Sequence, residues 1–124
     1  MYSYIVDELP RLLAAEFPVD MDRQAICGHS MGGHGAITIA LKNPDRFRSC
    51  SAFAPISHPS VSGWSKPAFR KYLGADEKTW RAYDACSLIE DGHHFPELLV
   101  DQGTADSFLE DGLRPEELRQ ACET

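Results

Sequence analysis

The sequence predicts an α/β protein in which a parallel β-sheet is flanked by helices, and three observations support this fold class. Short apolar runs that are typical of buried strands alternate along the chain with segments of helical periodicity. Strands that alternate with helices connect through right-handed crossovers, which makes neighbouring strands parallel. The 124 residues, of which 43% are hydrophobic, are sufficient for one core. We therefore expect one domain over residues 1–124, with helices covering both faces of its sheet.

The first half of the chain predicts a helix, a strand and a second helix. Residues 9–17, "LPRLLAAEF", form a predicted helix because Pro10 is tolerated in a first turn, where its missing N–H would have no partner. Residues 23–30, "RQAICGHS", are an apolar run stopped by glycine, which is typical of a buried strand. Apolar residues then recur at helical spacing until Asn43, where Pro44 prevents the helix from continuing.

The second half predicts two further strands and a C-terminal helix. The apolar runs are "SCSAFAP" (49–55) and "ELLV" (97–100). Between them lies "ISHPSVSGWSKPAF" (56–69), an irregular stretch of a kind that compact domains usually keep for function. "RPEELRQACE" (114–123) has proline and two glutamates in its first turn, as the helix dipole favours. Ligands of a parallel sheet bind beyond the carboxyl ends of its strands, so we expect the functional site at that edge.

Composition and charge argue against several function classes. The formal net charge of -7 and the lack of a Lys/Arg cluster disfavour a nucleic-acid partner. No apolar run reaches the length of a membrane span, and the first residues lack the pattern of a secretory signal, so we expect a cytoplasmic protein. The widely spaced cysteines form no C-x-x-C pair, which indicates neither a zinc site nor a disulfide framework: Cys27, Cys50, Cys86 and Cys122.

The stretch "CGHSMGGHG" (27–35) carries the motif with the clearest chemistry. Gly28, Ser30 and Gly32 fit G-x-S-x-G, with a predicted strand before it and a predicted helix after it, as a nucleophile elbow requires. In such an elbow the serine lies on a tight, strained turn, so the residues two before and two after it must be almost free of side chain. The turn places Ser30 at a helix N-terminus, where the N–H of Met31 would donate to a developing oxyanion. The pattern therefore predicts a nucleophilic serine that faces a substrate carbonyl.

A nucleophilic serine needs a base and an acid that orients it, and the residues alone leave both open. Asp101 directly follows the third predicted strand and Asp106 lies deeper in the same loop, so spacing gives two candidate acids. In this type of elbow the chain order is serine, acid, histidine. We assign the base to none of the histidines, because all five precede Asp101: His29, His34, His58, His93 and His94.

Six segments of the chain follow a family pattern in order and spacing: "MYSYIVDELP", "GHSMGGHGA", "ALKNP", "SAFAPI", "YLGADEKTWRAYDA" and "DQGTADSFL". Together they span almost the whole chain and resemble the S-formylglutathione hydrolase, or esterase D, family of the α/β-hydrolase superfamily. G-x-S-x-G alone would indicate only a serine hydrolase. Its combination with "SAFAPI" and with the segment around Trp80, Tyr83 and Asp84 is far more specific.

The resemblance implies that Ser30 is the nucleophile and Asp106 the acid of a catalytic triad, with Asp101 as a structural neighbour. It also implies hydrolysis of the small thioester S-formylglutathione to glutathione and formate, a step of formaldehyde detoxification, without metal or cofactor. Members of the family are more than twice as long as this chain. We therefore expect a partial α/β-hydrolase fold, an incomplete domain over 1–124, lacking the N-terminal strands and the C-terminal histidine segment.

Two expectations and two alternatives complete this interpretation. We expect negligible esterase activity from the isolated chain, since the triad histidine and one oxyanion donor are missing. We also expect the incomplete sheet to expose apolar edges and faces, and the exposed edge to promote aggregation or a homodimer. A carboxylesterase or acyltransferase of the same superfamily would share the elbow but prefer oxygen esters. A non-catalytic fragment or binding module would keep Ser30 only as a relic.

Overall fold

The computed structural model describes all 124 residues and contains three strands and five α-helices. The strands are β1 (Gln24–His29), β2 (Phe47–Phe53) and β3 (Leu98–Asp101). The helices are α1 (Leu9–Glu16), α2 (Met31–Lys42), α3 (Lys66–Leu73), α4 (Ala85–Glu90) and α5 (Pro115–Glu123). Shorter helical turns cover Tyr4–Glu8, Glu77–Tyr83 and Leu109–Leu113. None of the helices combines the length and apolarity that crossing a lipid bilayer requires.

The three strands form one parallel sheet in the order β1-β2-β3. Its register places His29, Phe53 and Asp101 side by side in the last row. Beyond that row, the amide of Ser30 donates to the carbonyl of Phe53 at 2.9 Å, and the amide of Ala54 donates to the carbonyl of Asp101 at 2.8 Å. The carboxyl ends of all three strands therefore meet at one edge, where Ser30 and the loop after Asp101 begin.

One face of the sheet packs against helices and forms the core. Half-buried and exposed residues alternate along β1 and β3, as expected when one face of a sheet is covered, and β2 buries Cys50 and Ala52 completely. The core cluster draws on α2, β2, α4 and α5 together with one aromatic side chain before β3. Its members are Ala36, Ile37, Ala40, Leu41, Cys50, Ala52, Ala85, Cys86, Leu88, Phe95, Leu118 and Ala121.

Helices cover only one face of the sheet, so the expectation of two covered faces is wrong for this chain, whereas the expectation that an incomplete sheet exposes an apolar face agrees with the structure. Cys27 of β1 is exposed, and Phe53 and Leu99 are 41% and 57% exposed. The reason is that α2, α4 and α5 all pack on the side of Cys50 and Ala52, so the alternate residues of each strand face water. We call this second side the open sheet face.

The structure differs from the predicted elements in three further places. α3 begins at Lys66, inside the stretch predicted to be irregular, with a proline in its first turn. β2 begins at Phe47, two residues before the predicted strand. The helical turn Glu77–Tyr83 and the short α4 had no counterpart in the prediction. The predicted order of strands and of the helices α1, α2 and α5 is confirmed.

Candidate active site

Ser30 lies in the turn between β1 and α2, where the backbone is strained. Its φ of 57° and ψ of -115° lie outside the regions that L residues favour. Main-chain hydrogen bonds hold the turn on both sides. The amide of Ser30 donates to Phe53, and its carbonyl accepts from the amides of His34 at 3.0 Å and Ile56 at 3.3 Å. The strand, turn and helix that the motif predicts are therefore present.

Two glycines make this turn possible by close approach. A Cβ at Gly28 would lie against the carbonyl oxygen of Gly32, far inside the 3.0 Å that Cβ atoms keep, and a Cβ at Gly33 would lie 2.9 Å from Cβ of Pro55. A Cβ at Gly32 would meet nothing within 4 Å. The prediction that Gly32 must lack a side chain is therefore wrong. The close neighbour of Gly28 is the backbone of Gly32, and that backbone is the same for any residue.

The first turn of α2 presents unpaired amides beside Ser30. Met31 is the first residue of this helix, and the first four N–H groups of a helix have no acceptor within it. The helix dipole adds partial positive charge at the same end. These groups can stabilise a negative oxygen next to Ser30, so the Met31 amide stays a predicted oxyanion donor. The Met31 side chain is 76% exposed and does not cover the turn.

Asp101 and Asp106 follow β3 at the edge that carries Ser30. Asp101 is exposed at the end of the strand, whereas Asp106 is half-buried in the loop. Asp106 Oδ1 accepts from the amide of Phe108 at 2.8 Å, and Oδ2 accepts from the side-chain amide of Gln102 at 3.4 Å. Neighbouring strands are about 4.8 Å apart, so the ends of β1 and β3, after which Ser30 and this loop begin, lie about 10 Å apart.

Gln102 is a site residue that the sequence reasoning missed. Its Nε2 donates both to Asp106 and, at 3.2 Å, to the carbonyl of Gly103, while its Oε1 is buried without a hydrogen-bond partner. The sequence signal that could have identified Gln102 is a side-chain amide that directly follows a strand and lies close to two candidate acids. Gln102 and the Phe108 amide together fix the direction of the Asp106 carboxylate.

His34 is close to Ser30 in sequence but serves to anchor α2. Its Nε2 lies 2.5 Å from the carbonyl of Tyr83, which can only accept, so Nε2 carries the proton. Burial lowers the pKa of His34, and the hydrogen bond to Tyr83 opposes this shift. The ring also packs against Phe69, with the centroids 6.2 Å apart. His34 therefore ties the first turns of α2 to the Glu77–Tyr83 turn.

Two of the other histidines have hydrogen-bond partners of their own. His58 Nδ1 bonds to a carboxylate oxygen of Glu117 at 2.7 Å, and His93 Nδ1 bonds to a carbonyl at the end of α2 at 3.2 Å. The remaining two are exposed: His29 and His94. None of the side-chain hydrogen bonds of these histidines involves Ser30, so the base stays unassigned.

The cysteines and acidic groups show no arrangement for redox chemistry or for a metal. All four cysteines are unpaired, and no cluster of three or more His, Cys, Asp or Glu side chains is placed to hold a metal ion. Burial raises the pKa of the Cys50 thiol to about 11, and it raises that of Cys86 as well. These two thiols are therefore protonated and unreactive at neutral pH.

Comparison with known proteins identifies the family. Residues 2–124 match the family described as "Putative esterase". The chain belongs to this esterase family. The resemblance to S-formylglutathione hydrolases is confirmed by two relatives of that name. The enzyme from Agrobacterium tumefaciens superposes on 99% of this chain with a TM-score of 0.96 and 66% identity, and the one from mouse (Mus musculus) is 53% identical over 125 residues, or 98% of this chain.

This esterase chain spans less than half of the two S-formylglutathione hydrolases named above. It covers 44% of the Agrobacterium tumefaciens chain and 44% of the mouse protein. Esterase B from Lactobacillus rhamnosis matches 98% of this chain, and 44% of its own, with a TM-score of 0.78 at 20% identity, which shows a shared fold alone. The predicted fold class, a parallel sheet flanked by helices as in α/β hydrolases, is thereby confirmed.

Proposed function

We propose that this chain is the nucleophile-bearing part of an esterase that hydrolyses S-formylglutathione to glutathione and formate. Ser30 is the nucleophile, Asp106 is the acid that orients the base, and the Met31 amide is one oxyanion donor. The observation that carries the proposal is the positive φ of Ser30 at the carboxyl end of β1, because backbone strain of this kind persists mainly where chemistry requires it. The α/β-hydrolase domain expected over 1–124 is part of the same proposal.

The chemistry is acyl transfer in two steps. Ser30 Oγ attacks the thioester carbonyl while a base takes its proton, and the negative oxygen that forms is stabilised by the amides at the start of α2. The C–S bond then breaks, and glutathione leaves with the proton from the base. Water attacks the formyl ester, again through the base, so that formate is released and the proton returns to Ser30.

The base for Ser30 is not assigned within these 124 residues. His34, His58 and His93 are engaged by other partners, and such contacts would have to break before any of them could serve. We expect the isolated chain to hydrolyse p-nitrophenyl acetate no faster than its Ser30→Ala variant. A burst of p-nitrophenol that disappears in Ser30→Ala would contradict this expectation.

A chimera tests the proposal directly. The segment of the Agrobacterium tumefaciens enzyme that aligns with this chain is replaced by residues 1–124, which keeps the rest of a related hydrolase in place. We expect this chimera to hydrolyse S-formylglutathione, and we expect Ser30→Ala to lower kcat/KM by at least about 10³-fold. A folded chimera whose activity is absent, or unchanged by Ser30→Ala, would refute the proposed role of Ser30.

The same chimera separates the thioesterase from its closest alternative. A carboxylesterase would turn over p-nitrophenyl acetate with a higher kcat/KM than S-formylglutathione, whereas the proposed enzyme has the opposite preference. A binding module would bind S-formylglutathione without releasing formate. The identity of the family supports ester or thioester hydrolysis, and the relatives named S-formylglutathione hydrolase favour the thioester.

Three finer statements belong to this proposal. A role in formaldehyde detoxification follows from the substrate. A cytoplasmic location is supported by the four unpaired cysteines, since thiols stay reduced in that compartment. A homodimer is supported by the open sheet face, and size-exclusion chromatography of the chain tests it: a concentration-independent monomer would argue against it.

A further inference from the structure

The segment over residues 54–65, which joins β2 to α3, connects the two halves of the candidate site. At its start, the amide of Ile56 donates to the carbonyl of Ser30 at 3.3 Å. Pro55 lies so close to Gly33 that a Cβ there would be 2.9 Å from Cβ of Pro55. The beginning of this segment therefore packs directly on the turn that holds Ser30. We call it the bridging segment.

The other side of the bridging segment is bonded to the chain that follows Asp106. The amide of Ser57 donates to the carbonyl of Leu113 at 2.9 Å, and the hydroxyl of Ser62 donates to the carbonyl of Asp111 at 2.7 Å. Both acceptors belong to the Leu109–Leu113 turn, whose first amide donates to the carbonyl of Asp106 at 3.2 Å. The bridging segment thus contacts the turn that holds Ser30 on one side and the turn that follows Asp106 on the other.

His58 is the side chain that connects this segment to two carboxylates. Its Nδ1 lies 2.7 Å from Glu117 Oε2 on α5, and its Nε2 lies 3.8 Å from Asp84 Oδ1. The side chain of His58 is 17% exposed and that of Asp84 is fully buried. Asp84 also accepts from the amides of Ser60 and Ser87, at 2.9 and 3.0 Å. The imidazole is therefore held between carboxylates on two different helices.

Glu117 is itself fixed from the opposite side. Arg114 donates to both of its carboxylate oxygens, and this hydrogen bonding, followed by that of His58, lowers the pKa of Glu117. Arg114 lies at a φ of 53°. The only other non-glycine residues at positive φ are Ser30 and Ala54, the first residue of the bridging segment. A strained backbone conformation persists when the surrounding contacts hold it in place. These three residues lie at the two ends of the connected contacts described above.

We propose that His58 is a positioning residue, whose pair with Glu117 holds the bridging segment so that Ser30 and Asp106 keep the separation that catalysis needs. The inference rests on the proposed function of Ser30 and Asp106. His58 does not touch the substrate: it acts through Ile56 on the nucleophile and through Ser57 on the turn after the acid. A misplacement of about 1 Å costs an enzyme up to about 10²-fold in rate, so a contact this far from the chemistry can matter.

The test uses the chimera with His58→Ala, Glu117→Gln and the double variant, and His94→Ala as the control for loss of an exposed histidine. We expect kcat to fall about 10- to 100-fold in His58→Ala with KM within about 3-fold, because binding is retained and alignment is lost. The double variant should lose no more than His58→Ala alone, since both changes remove one contact. His58→Gln, which keeps a donor, should recover part of kcat.

Three results would overturn the inference: an unchanged kcat in His58→Ala, a loss confined to KM, or independent losses that multiply in the double variant. An equal loss in His94→Ala would overturn it as well. If the parent chimera shows no activity that depends on Ser30, the proposed function has failed. The role of His58 is then tested on the 124-residue chain, by measuring nuclear Overhauser effects between the rings of Trp64 and Phe108.

These two rings join the bridging segment to the Asp106 loop, with their centroids 5.6 Å apart. We expect the cross-peaks to be present in the chain and in His94→Ala, and to be lost or weakened severalfold in His58→Ala. Cross-peaks of equal intensity in all three proteins would show that His58 does not hold the bridging segment, whatever reaction the protein catalyses.

Discussion

The two halves of the candidate site are built in different ways. Ser30 is fixed by main chain: a strained turn, three backbone hydrogen bonds and the close approach of Gly28 to the start of α2. Asp106 is fixed in a loop, where the Phe108 amide and the Gln102 side chain orient its carboxylate. A geometry built from adjacent backbone is encoded in adjacent residues. A geometry built in a loop depends on contacts from elsewhere in the fold.

The largest expected effect is on kcat/KM and distinguishes the two candidate acids, Asp101 and Asp106. In the chimera, Asp106→Asn should lower kcat/KM by about 10³- to 10⁴-fold, because an amide cannot hold the imidazolium that forms during acyl transfer. Asp101→Asn, at the exposed end of β3, should leave kcat/KM nearly unchanged. A larger loss in Asp101→Asn would transfer the acid role to Asp101.

The next-largest effect is on stability and concerns the turn around Ser30, which is fixed by main chain. Gly28→Ala should reduce the free energy of unfolding by about 3 kcal/mol, because its Cβ would overlap the Gly32 carbonyl, which belongs to rigid helix backbone. Gly32→Ala is the matched variant: its Cβ has open space, and alanine favours a helix, so stability should change by less than about 1 kcal/mol. Urea unfolding of both variants measures the difference. Equal losses would contradict the steric account of the turn.

A smaller effect tests whether Gln102 orients the Asp106 carboxylate in its loop. Gln102→Leu removes the longer of the two hydrogen bonds to Asp106 and also the buried Oε1 that has no partner. We expect kcat of the chimera to fall about 5-fold, which corresponds to the roughly 1 kcal/mol of one hydrogen bond. Gln102→Glu should be worse, since it places a second carboxylate beside Asp106. Full activity in both variants would show that the Phe108 amide alone orients the acid.

The smallest effect concerns pH and the anchor of α2. Because burial lowers the pKa of His34 below 6.5, the unfolded chain binds more protons than the folded chain once the pH falls below that value. The contribution of His34 to stability is therefore complete above about pH 6.5 and declines as the pH decreases. His34→Gln, which keeps a donor for Tyr83, should show less loss of stability between pH 7.5 and 5.5 by urea unfolding. An identical loss in both proteins would contradict this sign.

The sequence predicted the parts of the fold that glycine and proline delimit. β1, α2 and α5 agree with the prediction because a glycine turn or a first-turn proline marks their ends. α4 was not predicted, although Asp84 before it is an N-cap that accepts from the amide of Ser87. An open apolar face was expected from the incomplete sheet, but which face it is could not be predicted, because that is decided by packing between distant segments.

The candidate site shows the same limit. Ser30 and Gly28 could be identified from nine adjacent residues, since their geometry is local. The contact between His58 and Glu117 joins positions 59 residues apart, and no spacing pattern in the sequence connects them. Gln102 lies four residues before Asp106, close enough to be suspected, but its direction depends on how the loop folds back after β3.

The open sheet face also affects how the folding of this protein can be measured. Phe53 and Leu99 present aromatic and aliphatic surface to solvent in the native state, on strands whose opposite side is dry. Dyes that fluoresce on apolar surface are widely used to detect a loosened core. Such a dye has a binding surface on the fully folded chain, so its fluorescence would report a molten state that is not there.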